Sequence, residues 1–114
     1  MAWPQHFRLR GRRDIQKVFK TGRKFKNRFF LAVSLRNDLG HPRVAIIVSK
    51  KISSSAVIRN RIRRIVGEIS RAGLSKSLER DISINVLEYE KDKPVFISQL
   101  KQLVLQLNAH DQSR

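Results

Sequence analysis

The chain has 114 residues, 40% of them hydrophobic, with 25 Lys and Arg against 9 Asp and Glu and no Cys. That length and apolar content fit one domain with a modest core, and the lack of cysteine excludes disulfides and thiolate metal sites. A formal net charge of +16 points to a polyanionic partner. The excess is lopsided, because residues 1–72 hold 19 basic and 3 acidic side chains while residues 73–114 hold six of each.

No run approaches the roughly 18–20 apolar residues that span a bilayer, and "MAWPQHFRLR" has no apolar signal core. A soluble, cytoplasmic protein without a membrane partner is expected. The same opening stretch is arginine-rich and acid-poor like an organellar transit peptide, but structured pattern follows it at once. His6, His41 and His110 show no metal-ligand spacing.

Asp14 precedes "IQKVFK", where Ile15, Val18 and Phe19 recur on one helical face before Gly22, so a short helix is expected at about 13–20. In "RKFKNRFFLAVSL", Phe25 and then Phe29 to Leu35 are strand formers; the turn segment "RNDLGHP" and the strand "RVAIIVS" follow. This reads as an antiparallel hairpin with a seven-residue loop. After the serine-rich break "KKISSS", a long helix is expected at about 55–71, with a serine as its N-cap. On the helical wheel Ile58, Ile62, Ile65, Val66 and Ile69 share one face and bury, which turns the arginines outward.

Gly73 ends that helix, "DISINVLEY" alternates as a strand at about 81–87, and Phe96, Leu100, Leu103, Val104 and Leu107 mark a helix over Lys93–Asn108. The order gives an α+β sandwich with helices on a small sheet. A single domain over residues 1–114 is expected, ordered at about 7–108.

The strongest site signal is "AVIRNRIRR". Arg59, Asn60, Arg61, Arg63 and Arg64 lie on the polar arc, where guanidinium groups grip phosphate oxygens and an Asn offers both a donor and an acceptor to a ribose or base edge. An ordinary solvated face mixes signs for pairing at i,i+4, whereas Glu68 is the lone acid in this helix. From Arg8 to Arg28, ten basic residues face one acid, Asp14, with Phe7, Phe19, Phe25, Phe29 and Phe30 interleaved. Single-stranded nucleic acid is held by such a combination, charge tracking the backbone and rings stacking on bases; aromatics at this spacing also serve as core.

Enzyme signatures are missing from the sequence: no glycine-rich phosphate loop, no HExxH, no serine or cysteine triad. Ser53, Ser54 and Ser55 read as a capping loop, and Glu88, Glu90 and Asp92 as a charged turn rather than a carboxylate metal site.

"SKK…AVIRNRIRR", with "FRLRGRRDIQKVFKTGRKFKNRFFLAV" and "RVAIIVSKK" before it, resembles the protein subunit of bacterial ribonuclease P over roughly residues 7–107. The resemblance implies an α-β-β-β-α-β-α sandwich like domain 2 of ribosomal protein S5, with a left-handed β-α-β crossover. It also implies an accessory RNA-binding subunit of an endoribonuclease: the catalytic RNA removes the 5′ leader of precursor tRNA using Mg²⁺ held mainly by RNA and substrate, and no protein partner is implied. Carried over by position, Ser49, Lys50, Lys51, Arg59, Asn60, Arg61, Arg63 and Arg64 contact the catalytic RNA. Arg8, Arg10, Arg12 and Arg13 are additional basic contacts, and Phe19, Phe30, Val33 and Ile15 line a cleft for the leader. Val33 stands where a tyrosine is common and Ile15 where an aromatic is, which weakens stacking. The serines replace a glycine-containing link with one extra residue, and Gly67 replaces a basic residue at the centre of the polar arc.

The competing reading is a structural or ribosomal RNA-binding protein, which needs the basic helix but neither Ser-Lys-Lys nor the aromatics. A helix-turn-helix DNA binder needs a helix where "RVAIIVS" reads as strand, and a protein-only nuclease needs clustered acids.

Overall fold

Residues 3–89 and 93–113 are described by a computed structural model, with side chains given as far as residue 109. A 3₁₀ turn at Gln5–Phe7 leads to helix α1, Arg12–Thr21. Gly22 stops α1 by its size: a Cβ there would lie 2.6 Å from the Val18 carbonyl oxygen and 2.7 Å from Val33 Cγ1. The chain can then turn at once into strand β1, Arg23–Lys26, and on into β2, Phe30–Arg36.

Strand β3 is Arg43–Ile47, helix α2 is Ala56–Gly73, strand β4 is Arg80–Val86 and helix α3 is Lys93–Ser113. The α-β-β-β-α-β-α order is as expected. Ser55 caps α2, its Oγ accepting from the Ile58 N–H at 3.3 Å, which satisfies one of the helix's orphan donors.

The four strands lie in the order β1-β2-β4-β3. β1 pairs with β2 and β2 with β4, both antiparallel, and β4 pairs with β3 in parallel. The expected β2–β3 hairpin is therefore replaced: β4 lies between those strands, and the tight hairpin is β1–β2. The reason lies in side chains far apart in sequence. Asn37 Nδ2 donates to Asp81 Oδ1 at 2.8 Å, and Arg43 grips the same carboxylate through Nε at 2.9 Å and Nη2 at 2.6 Å. Both ends of the loop at 37–42 are thereby pinned to the start of β4. β3-α2-β4 forms a crossover between parallel neighbours, and α2 is its connection.

The sheet's two faces differ because side chains alternate. Phe30, Ala32, Val44, Ile82, Ile84 and Val86 join Ile62 and Val66 of α2 and Phe96, Leu100 and Leu103 of α3 in the main core. On the other face α1 covers a small cluster, Leu9, Val18, Val33 and Ala45, beside the polar residues of β4, Asp81, Ser83 and Asn85. Trp3, ahead of the stretch expected to be ordered, is buried in the main core, its indole N–H donating to Ser70 Oγ at 3.0 Å.

Candidate nucleic-acid interface

α2 packs into the main core with Ile62 and Val66 fully buried and Ile65 and Ile69 half-buried. Ile58, expected in that buried stripe, is 39% exposed, as is its neighbour Val57 at 69%; the first turn of α2 overhangs the core. Gly67 departs in the other direction. It is buried rather than central to the polar arc, since the N-terminal arm folds over this part of α2: the Ser70 hydroxyl that receives the Trp3 N–H itself donates to the Gly67 carbonyl at 3.1 Å.

The arginines of α2 divide by what holds them. Arg59 donates through Nη1 to the Ser53 carbonyl at 2.9 Å, bracing the loop that leads into the helix. Arg63 donates to Asn60 Oδ1 at 2.6 Å and reaches the Val48 carbonyl at 3.5 Å. Asn60 is exposed with its oxygen engaged by Arg63, so the amide N–H₂ is the half turned to outside partners. Arg61 and Arg64 are exposed. Among the described residues none of these four arginines pairs with a carboxylate; the ion pairs there are Arg28–Glu88 at 3.7 Å and Arg43–Asp81.

An open groove of about 800 Å³ runs between α2, the outer edge of β3 and the N-terminal arm. Arg8, Arg10, Arg61, Arg63 and Arg64 rim it, over a floor that includes Leu9, Ala45 and Ile47. The arm is fixed there by the Leu9 N–H donating to the Val44 carbonyl at 3.0 Å and by Arg8 Nε donating to the Trp3 carbonyl at 2.8 Å. Arg8 and Arg10 are thus brought to the α2 arginines across some fifty residues of sequence. Arg12 and Arg13 are exposed in the first turn of α1 and do not line the groove. That turn starts at Gly11 without a side-chain cap, and two cations at the positive end of a helix dipole oppose it by about 0.3–1 kcal/mol each.

Ser49, Lys50 and Lys51 are exposed in a turn beyond β3, which ends at Ile47, rather than at the end of the strand itself. The four expected leader residues do not share a surface. Ile15 lines the groove and Phe19 is 43% exposed, with Lys24 Nζ 5.2 Å from its ring centre. Val33 is fully buried beneath α1. Phe30 lies on the opposite face of the sheet, completely buried with its ring centroid 4.8 Å from that of Phe96, and offers no ring face to a base. Positions 30 and 33 differ by an odd number, so a strand sends them to opposite faces.

The sequence reading missed Trp3, which builds the groove wall. The available signal was the residue type, since a large aromatic in a polar arm gains most by burial. Among the described residues no three His, Asp or Glu side chains come together as metal ligands; Glu90 and Asp92 lie outside those residues, as does the side chain of His110. Desolvation holds Lys76, at the end of α2, below the usual lysine range, helped by the charge of Arg71. Donating its hydrogen bonds to the Asp81 carboxylate holds the Arg43 guanidinium pKa above its ordinary value.

Fold and groove together define a small basic α+β protein whose arginine-rich helix connects two parallel strands. The family described as Ribonuclease P matches residues 3–108, and the chain belongs to the ribonuclease P protein family. The ribonuclease P protein component of Microcystis aeruginosa is 31% identical over 115 residues, covering 95% of this chain and 96% of that one. The ribonuclease P protein structure from Thermotoga maritima superposes with a TM-score of 0.68 at 28% identity, covering 90% of this chain and 96% of that one. That from Staphylococcus aureus gives 0.68 at 26% identity, covering 90% and 95%.

Proposed function

We propose that this chain is the RNA-binding subunit of a cytoplasmic ribonuclease P, holding the catalytic RNA and the 5′ leader of precursor tRNA while the RNA subunit cuts the leader off. The observation that carries it is the arginine-rimmed groove, in which Arg8 and Arg10 of the arm face Arg61 and Arg64 of α2 with no carboxylate partner among the described residues. Groups so placed favour phosphate oxygens, to which guanidinium binds bidentately.

Substrate and ribozyme are both polyanions, and their approach is opposed by repulsion. A protein of charge +16 lying between them neutralises phosphates and releases condensed counterions. Arg61, Arg64 and the turn at Ser49–Lys51 are the contacts for the catalytic RNA, with Arg59 and Arg63 holding their frame and Asn60 offering its amide donors. The leader lies on the α1 face of the sheet, where Ile15 lines the groove and Phe19 is exposed on α1 beside Lys24. Phe30 has no part in it, and Val33 contributes only from beneath α1. On this reading Mg²⁺ is held mainly by the RNA and the substrate, where it would supply charge stabilisation at the scissile phosphate.

The test is cleavage of precursor tRNA at low Mg²⁺ by the partner RNA, the protein, or both. The expected result is cleavage by the RNA that the protein stimulates and none by the protein alone. Cleavage by the protein alone overturns the assignment of chemistry, and no stimulation favours a structural RNA-binding role.

A further inference from the structure

The strand register places one row of side chains across the whole sheet on the α1 face: Lys26 opposite Leu31, Leu31 opposite Asn85, and Asn85 opposite Ile47. The neighbouring row, Lys24, Val33, Ser83 and Ala45, is sealed by α1 at Val33, Ser83 and Ala45. The Lys26 row is not sealed: Lys26 is exposed, and Leu31, Asn85 and Ile47 are half-buried. It spans three inter-strand spacings, about 14 Å. It has a cation at one end, and at the other Ile47 opens into the groove rimmed by Arg61 and Arg64.

The one polar side chain inside this row is Asn85, and its orientation is fixed. Nδ2 donates to the Leu31 carbonyl at 3.0 Å and to Ser83 Oγ at 3.2 Å. A carbonyl can only accept, so the group facing Leu31 must be the N–H₂. Both N–H groups are then engaged. Oδ1 accepts from no described residue, and it is not among the buried polar atoms lacking a partner, which leaves it open to solvent.

We propose that Asn85 is a base-reading residue for single-stranded RNA lying on this row, an acceptor-only contact that selects a base carrying an exocyclic amino group. This rests on the reading above that the leader lies on the α1 face. Leu31 and Ile47 on either side give apolar contact to base faces, and Lys26 and the groove arginines hold the flanking phosphates. Adenine, cytosine and guanine each present an amino group to Oδ1. Uracil presents none, and its N3–H is flanked by two carbonyl oxygens that Oδ1 repels.

The test uses the protein reconstituted with its ribonuclease P RNA and precursor tRNAs whose leaders differ at one position at a time. At one position, replacing adenosine by purine riboside, which lacks the amino group, or by uridine is expected to weaken binding about three- to tenfold, the worth of one net hydrogen bond. In Asn85→Leu, near in volume, the same replacements are expected to have no effect, while mature tRNA binds as before. Asn85→Val, which likewise carries no acceptor, serves as a second variant with higher strand preference should the leucine protein fold poorly. Equal sensitivity in the wild type and a folded variant, or none at any position in the wild type, overturns the proposal. Precursor binding no tighter than mature tRNA overturns instead the placement of the leader.

Discussion

The two faces of the sheet are built from the same four strands and behave as different materials. The face toward α2 and α3 carries the main apolar core, with Phe30, Ile82, Ile84 and Phe96 all at 1% exposure or less. The face toward α1 buries only Leu9, Val18, Val33 and Ala45 as a cluster. Its β4 residues are Asp81, Ser83 and Asn85, each bonded or paired to something specific. One face holds the molecule together; the other carries what is left over for a ligand. A single helix of ten residues cannot cover a four-stranded sheet, and the uncovered strip is continuous with the arginine groove.

That contrast is most sharply tested at Phe30. Phe30→Ala is expected to cost about 3–5 kcal/mol of stability through the cavity it leaves, a large share of a total near 5–15 kcal/mol, read by urea unfolding. A stable Phe30→Ala protein that selectively lost leader affinity would move this ring from the core to the RNA.

On the other side of the comparison, Arg61→Ala with Arg64→Ala should leave the melting temperature nearly unchanged and weaken binding to the catalytic RNA. The slope of log affinity against log salt should flatten by about 0.7–0.9 for each phosphate that the protein no longer neutralises. Adding Arg59→Ala and Arg63→Ala should also lower stability, because those two brace the loop and the end of β3. An unchanged slope in the double variant would deny these side chains any phosphate partner.

Phe19→Ala is expected to weaken binding of precursor tRNA by about 1–3 kcal/mol for a stacked base, to spare mature tRNA, and to leave stability nearly intact, since the ring is 43% exposed. Equal weakening for both RNAs would place Phe19 with the structural residues. Smallest is Ser55→Ala, which removes the cap of α2 and should cost about 1 kcal/mol with no change in salt slope. A changed slope would show that the cap also sets how the arginines meet RNA.

Periodicity and punctuation made the helices and the strands β2, β3 and β4 legible, because each helix buries one local face and begins or ends at residues that act locally, such as Ser55, the N-cap of α2; β1 as a separate strand came only from the family resemblance. The cationic face of α2 was legible for the same reason: a helix with one acid among its arginines has no internal use for them. Ile58 and Gly67 were misplaced because a wheel reports which residues share a side, not where the rest of the fold begins and ends over it.

The sequence by itself determined the element order, the charge and the identity of the arginine helix, all properties of contiguous residues. Only the tertiary structure decided that β4 separates β2 from β3, that Trp3 brings the arm and its arginines onto α2, that Phe30 and Val33 face apart, and that Asn85 stands in an uncovered row. Each of these depends on contacts between residues distant in the chain, such as Asn37 with Asp81 and Trp3 with Ser70, whose energies no local pattern encodes.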